Sequence, residues 1–166
     1  MTTPKKVDFI PSLWYKISMT NKELLAYTAG LIDGEGYIGL IPHSVTKNSF
    51  SPKVKVASTN IELVEFLHNN FGGHLDKLRV YSQPNRKMSA MWTLSNGINV
   101  GPFLKSLLPY LRVKNKQANL ILEYIKKYRY KKMRQVNKED IILKRQDIYK
   151  QIRVLNYRGL PLAETE

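Results

Sequence analysis

The chain has 166 residues, of which 43% are hydrophobic, and this size allows one compact domain but not two independent ones. It has no cysteine, which excludes disulfides, thiolate catalysis and cysteine-bound zinc, so any metal must be held by oxygen or imidazole. The formal charge of +14 favours a polyanionic partner, although DNA, RNA, an anionic membrane and a merely basic structural role all remain open on charge alone.

Targeting and membrane signals are not found in the sequence. No run of about 18 apolar residues occurs, and the first residues lack an apolar stretch followed by a small-residue cleavage site. We therefore expect an intracellular protein without a signal peptide and without a membrane partner. An organelle and a prokaryotic cytoplasm are not distinguished.

The first half of the chain predicts one helix, a hairpin and a second helix. Thr20 and Glu23 form a capping box before the run LLAYTAGLID, and the helix should stop at Gly34-Glu35-Gly36. Strands are expected from Tyr37 to Pro42 and from Lys53 to Ser58. Helical spacing then predicts a helix from Ile61 to Phe71, ended by Gly72-Gly73.

The second half repeats this order and adds helices. Strands are expected over 74–82 and 87–95, and helices over 100–111, 116–130 and 138–155. A repeated α-β-β unit closed by helices predicts an α+β fold with a four-stranded antiparallel sheet covered by helices on one face. We divide the chain into an extension (1–19), a core (20–130) and a basic linker with a last helix (131–166).

The uncovered sheet face is expected to be basic. No acid occurs between Asp76 and Glu123, and cationic or polar residues alternate with apolar ones in two of the strands. This alternation predicts that one face carries Lys53, Lys55, Lys77, Arg79 and Tyr81. A solvated sheet surface without a ligand is the alternative interpretation.

The first helix has two packing faces and an acidic end. Gly30 and Gly34 lie one turn apart with Tyr27 on the same stripe, which would let a second backbone approach closely. Asp33 and Glu35 stand at the negative end of the helix dipole, where a bound cation would offset their repulsion. If two such helices crossed at a two-fold axis, the paired Glu35 carboxylates and the Gly34 carbonyl would suit Mg²⁺, or another divalent cation such as Mn²⁺. An ordinary turn after a helix is the alternative for D-G-E-G.

The segment from Thr28 to Gly36 resembles the LAGLIDADG motif of homing endonucleases, with the second acid kept as Glu35 in place of the commoner aspartate. A second segment, Lys114 to Asn119, is similar to the K-x-K-Q-A-N stretch of single-motif members. The resemblance covers about 20–130. It implies a saddle-shaped sheet over DNA, with the motif helices of two copies forming the interface of a homodimer.

The resemblance also implies an activity and a set of site residues. The expected activity is site-specific homing endonuclease cleavage, with staggered double-strand cuts in a long, pseudo-palindromic DNA target by metal-dependent phosphodiester hydrolysis. Glu35, Lys114 and Ser58 are the expected catalytic residues, with Glu35 and Gly34 as metal ligands. The expected dimer interface comprises Tyr27, Gly30, Leu31 and Gly34. The expected DNA contacts are Lys53, Lys55, Lys77, Arg79, Tyr81, Tyr37, Ile41, His43 and Lys116.

Two other functions fit the same fold. An RNA-binding intron maturase would use a basic surface on intron RNA, and a DNA-binding regulator would bind without cutting. The retained carboxylate of Glu35 favours metal chemistry over both. A regulator should tolerate Glu35→Gln, whereas a nuclease should not.

Overall fold

The fold is known from a computed structural model that describes residues 20–43, 49–78, 88–129 and 138–157. In this part of the chain the α-β-β unit occurs twice and is followed by three helices, which confirms the predicted α+β fold. The elements are α1 (Asn21–Glu35), β1 (Gly36–Pro42), β2 (Phe50–Ser58), α2 (Ile61–Phe71), β3 (His74–Leu78), β4 (Ser89–Ser95), α3 (Gly97–Leu107), α4 (Asn115–Tyr124) and α5 (Lys138–Asn156).

The first helix begins where its capping box predicts. The Thr20 hydroxyl accepts from the Glu23 amide at 3.4 Å, and the Thr20 amide donates to the Glu23 carboxylate at 2.7 Å. These bonds satisfy donors that a helix start leaves unpaired. The helix ends at Glu35, and the chain enters β1 at once.

The four strands form one antiparallel sheet with the order β1-β2-β4-β3. Buried positions alternate along β2, and the register aligns Ile38 with Val54 and Val54 with Leu94. Side chains of paired residues share a face, so these residues form one apolar face. Trp92 lies in the same core, and its indole N–H donates to the Gly72 carbonyl at 2.6 Å.

The helices pack on that apolar face and complete the core. Buried residues of α1, α2, α3, α4 and α5 join the sheet residues in one hydrophobic cluster. The opposite sheet face, called the open face below, carries Tyr37, Gly39, Ile41, Ser51, Lys53, Lys55 and Ala57 at alternating positions of β1 and β2.

Helix α5 runs along the edge strand β1. The Asn156 side-chain amide donates to the Ile38 carbonyl at 2.9 Å, and the Tyr149 ring stacks on Phe50 with centroids 4.7 Å apart. A strand edge offers unpaired backbone groups to other chains, and a covering helix reduces that hazard. The last helix thus protects the exposed side of β1.

Several bounds differ from the predictions. Helix α3 starts at Gly97 rather than Val100, because the Asn96 side chain caps it by accepting from the Ile98 amide at 3.3 Å. It also ends earlier, since Pro109 has no N–H to continue the helix. The α-helical part of α4 ends at Tyr124 and continues as a π-helical turn, Ile125–Arg129.

The described helices include none that is both long and apolar enough to span a membrane. The extension, the basic linker and the segment that joins the strands predicted over 74–82 and 87–95 lie outside the described residues. The division of the chain at 19 and 130 stays a prediction.

Candidate active site

The end of α1 is exposed on the side that carries its glycines. Gly34 and Glu35 are exposed, and a methyl group added at Gly30 or Gly34 would meet no other atom within 4 Å. Tyr27 on the same stripe is 47% exposed, and Leu31 is partly buried against the core. The opposite stripe, with Thr28, Ala29 and Ile32, is buried. One side of α1 therefore faces the core while the other lies open in the single chain.

Asp33 holds the turn before α4. Its carboxylate accepts three backbone hydrogen bonds, from Arg112 at 2.7 Å, Val113 at 3.2 Å and Lys114 at 2.8 Å. Consecutive amides that converge on one carboxylate form a strong, charge-assisted arrangement. This carboxylate therefore ties the turn at 112–114 to the end of α1.

Lys114 returns a bond to the same helix end. Its ammonium Nζ donates to the backbone carbonyl of Asp33, and only 7% of the residue is exposed. That carbonyl belongs to the last turn of α1, where a helix leaves carbonyl groups without intrahelical partners. The structure thus places a buried cation two residues from Glu35 along the helix end.

Ser58 ends β2 on the second side of the hairpin. Its hydroxyl Oγ accepts from the Asn60 amide at 3.1 Å, and Asn60 in turn caps α2 by accepting from Leu63. The hydroxyl therefore helps to form the turn from strand to helix. A role in ordering an active-site water stays a prediction.

The open face carries several of the expected DNA contacts in one row. Tyr37 pairs with Lys55, and Ile41 pairs with Ser51 two positions from Lys53, so these side chains lie on one face of neighbouring strands. His43 is exposed beyond β1, where its amide donates to Ser49 at 2.9 Å. Lys116 is exposed in the first turn of α4, and Arg79 and Tyr81 lie outside the described residues.

The backbone register does not support the prediction that Lys77 shares this face, which stays a prediction. Lys77 pairs with Ala90 and Leu75 pairs with Trp92, and both partners belong to the core. His74 and Asp76 take the open-face positions instead, joined by a 2.9 Å contact between ring and carboxylate. A DNA contact by Lys77 itself stays untested.

Tyr37 is a half-buried residue of the open face and lies near α5. Burial raises the pKa of its phenol, the nearby Tyr149 raises that pKa further, and the Arg153 guanidinium lowers it. The neutral phenol is therefore favoured. Its hydroxyl can donate as well as accept a hydrogen bond.

The donors at the end of α1 suit a hard divalent cation, but one chain supplies few of them. Glu35 offers an exposed carboxylate, and Gly34 is in the last turn, where carbonyls lack intrahelical partners. Across the described residues no three His, Cys, Asp or Glu side chains are grouped as a metal site. A site at Glu35 would need further oxygen ligands beyond those that the described residues supply there.

Asp33 is the residue whose role sequence reasoning missed. It was grouped with Glu35 as an acid favouring a cation, whereas its carboxylate is occupied by three amides. The segment R-V-K before α4 has no side chain that caps the helix, so its backbone amides need an acceptor from elsewhere in the chain. This need was the available signal for the role of Asp33.

Two α-β-β units, a sheet with one open face and a first helix ending in the motif acids define the fold of the LAGLIDADG homing endonucleases. The I-CvuI endonuclease, solved with its target and Ca, matches with a TM-score of 0.66 and 20% identity over 84% of this chain and 85% of that one. The archaeal intron-encoded I-Vdi141I bound to DNA matches with a TM-score of 0.62 and 17% identity, over 82% and 86%.

In sequence, the chain is similar to the DNA endonuclease I-CreI of Chlamydomonas reinhardtii, with 33% identity over 106 residues. The match takes in 63% of this chain and 64% of I-CreI, slightly under two thirds of that relative. No family model matches the chain. The resemblance to LAGLIDADG homing endonucleases that the motif indicated is confirmed.

Proposed function

We propose that the chain is a site-specific DNA endonuclease that works as a homodimer and cuts both strands of a long, roughly two-fold DNA site by metal-dependent hydrolysis. The observation that carries the proposal is the end of α1. There the exposed Glu35 lies two residues after Asp33, whose carbonyl accepts from the Lys114 ammonium. This helix end thus combines an exposed carboxylate that could bind a metal with a buried ammonium that could stabilise phosphate charge. It leads directly into strand β1 of the open face.

The relatives support a DNA substrate. I-CreI is a DNA endonuclease, I-Vdi141I is intron-encoded and was solved with DNA, and I-CvuI was solved on the I-CreI target with Mg and uncleaved DNA. The +14 charge and the lysines of the open face suit a phosphate backbone. A two-stranded ribbon can enter the major groove, so Lys53, Lys55, Tyr37 and Ile41 are the proposed base-reading residues. Lys116 and His43 are proposed to contact DNA from the rim of this face.

The proposed cofactor is Mg²⁺ or Mn²⁺, held by Glu35 and the Gly34 carbonyl. I-CvuI was solved with Mg and with Ca, which is consistent with divalent ions in this fold. When bound, such an ion lowers the pKa of water and stabilises the leaving oxygen. The end of α1 fixes the position of the Glu35 carboxylate, and this position would determine where the ion is bound.

Lys114 is proposed to stabilise negative charge on the phosphorane. A group fixed before the reaction loses little reorganisation energy when charge develops, which makes a buried, hydrogen-bonded ammonium effective. Ser58 is proposed to order water near the scissile phosphate.

The proposed dimer forms through the exposed stripe of Tyr27, Gly30, Leu31 and Gly34. Two helices crossing at this stripe could approach closely, because the glycines project nothing into the space. Crossing at a two-fold axis would bring both Glu35 carboxylates together and supply the ligands that one chain lacks.

The test is cleavage of a randomised duplex library by wild type and Glu35→Gln, each with Mg²⁺ and with chelator. We expect staggered cuts at one long site. Cleavage should fall at least about 1000-fold with the substitution, because the carboxylate charge is lost, and with the chelator, because the metal ion is removed. Glu62→Gln, which changes another exposed helix acid, in the first turn of α2, is the matched control and should cut like wild type.

Absence of cleavage by the wild type, with tight DNA binding that Glu35→Gln leaves unchanged, would contradict the nuclease and favour a regulator. Preferential binding of structured RNA in competition with that DNA would favour a maturase instead.

A further inference from the structure

Tyr37 lies across Gly39 on the open face. A methyl group built on Gly39 would stand 2.8 Å from the Tyr37 Cε1 atom and closer still to its Cζ and hydroxyl oxygen. Real methyl groups do not approach a ring this closely, so the phenol occupies the space that any side chain at 39 would take. The ring therefore runs along the strand from 37 towards 39 instead of standing away from the sheet.

The surroundings of this ring are ordered by α5. Tyr149 lies near Tyr37 and is itself stacked on Phe50, while the Arg153 guanidinium is 6.0 Å from the Tyr149 ring centre. Asn156 fixes the same helix to β1 through the Ile38 carbonyl. Helix α5 thus borders the Tyr37 ring at the β1 edge of the sheet, and it is held there by contacts with the core residue Phe50 and with the Ile38 carbonyl.

We propose that Gly39 is a positioning residue for target recognition: by leaving room for the Tyr37 ring to lie flat, it sets the base preference of the site at the base pairs that face the start of β1. This inference rests on the proposed function, because it assumes that the open face binds DNA.

The pose changes what the strand offers to DNA. An upright tyrosine would reach far into the groove with its hydroxyl, whereas a flat ring presents its apolar face and lets the ribbon approach the base edges closely. Apolar contact of this kind discriminates the thymine methyl group from other bases in the major groove. Lys55 is opposite Tyr37 and Lys53 is opposite Gly39, so this surface lies beside two lysines of β2.

The test compares base preferences of wild type, Gly39→Ala, Tyr37→Ala and the double variant, measured as binding and cleavage of the randomised library. We expect Gly39→Ala to change the preference by about tenfold at one or two base pairs in each half-site, the same positions that Tyr37→Ala changes. Because Gly39 acts through the ring, the double variant should match Tyr37→Ala alone.

Independent readouts separate a positioning effect from a loss of fold. Ring signals of Tyr37, assigned by their loss in Tyr37→Phe, should shift in the NMR spectrum of Gly39→Ala, while the urea midpoint should change little. If Gly39→Ala kept the wild-type preference, or altered it equally without Tyr37, the inference would be overturned and the nuclease would stand. A wild type that neither binds nor cuts DNA would overturn the proposed function, and this inference with it.

Discussion

The Asp33 residue determines where the Lys114 ammonium lies. Asp33 accepts from three successive amides, and its own carbonyl accepts from the Lys114 ammonium, so two segments about 80 residues apart are joined by four bonds. Glu35, in contrast, is exposed. The two motif acids therefore differ: Asp33 joins the helix end to the turn at 112–114, and Glu35 is the proposed metal ligand.

Asp33→Asn should lower both stability and activity. The amide presents an NH₂ group where amide donors already converge, so we expect a loss of about 2 kcal/mol in the free energy of unfolding, measured in urea. Cleavage should fall at least about tenfold at a temperature where the variant is folded, because Lys114 loses its support.

The control for this variant is Asp76→Asn, whose carboxylate contacts the exposed ring of His74 at 2.9 Å. A surface pair of this kind contributes little, so its unfolding midpoint should stay near that of the wild type. Equal loss of stability in the two variants would contradict the role assigned to Asp33.

How far residues could be assigned from sequence depended on whether their partners were local. The capping pair Thr20 and Glu23 was predictable because both partners lie within one turn. The role of Asp33 was not, because its donors are about 80 positions away and only the folded chain brings them together.

The helices are defined mainly by their first turns. Thr20 caps α1, Asn60 caps α2 and Asn96 caps α3, each with a side-chain oxygen that accepts from a backbone amide. Asn96 does so with a φ of 78°, a left-handed conformation that asparagine tolerates better than most residues. This unusual conformation explains why the start of α3 was placed too late.

Thr20→Ala should destabilise the domain through α1 alone. Loss of the cap leaves amides of the first turn without an acceptor, and we expect a cost of about 1 kcal/mol, seen as a fall of a few degrees in Tm. Lys22→Ala, at an exposed position of the same turn, is the control. If both variants had the same Tm as the wild type, the capping box would contribute nothing to stability.

The strands were predictable in the centre of the sheet and less so at its edge. In β2 the lysines alternate with valines that are fully buried between two neighbours, so pattern and register agree. Strand β3 has only β4 beside it, and its described part is five residues long. With so few apolar residues, the alternation alone did not decide which side of β3 is buried.

At the scale of the whole molecule, the described residues include acids of the helices that are neutralised by neighbouring lysines. Two helix acids are paired with lysines one turn away, Glu123 with Lys127 at 2.8 Å and Asp140 with Lys144 at 2.7 Å. Such pairs add little stability, but they neutralise charge on the helical side. The lysines of β2 face the other side, so the net charge is available where DNA is proposed to bind.

Gly30→Leu should abolish the proposed dimer without harming the chain. No atom lies within 4 Å of the added Cβ, and leucine favours a helix interior by roughly 0.8 kcal/mol over glycine. We therefore expect a monomer in analytical ultracentrifugation, with a Tm of the monomeric fold no lower than before.

Asn69→Leu, at an exposed position of α2, controls for adding leucine to a helix surface and should leave the association state unchanged. A Gly30→Leu protein that sedimented like the wild type would place the dimer contact elsewhere.

The long separation between Asp33 and its three donors also bears on when activity can arise during synthesis. A growing chain completes the motif helix early, but the turn at 112–114 is translated about 80 residues later. Contacts between such distant positions form only when the intervening sheet has closed the loop. A partly made chain therefore carries Glu35 without Lys114, and the proposed cleavage activity would require that the domain is translated through α4 and folded.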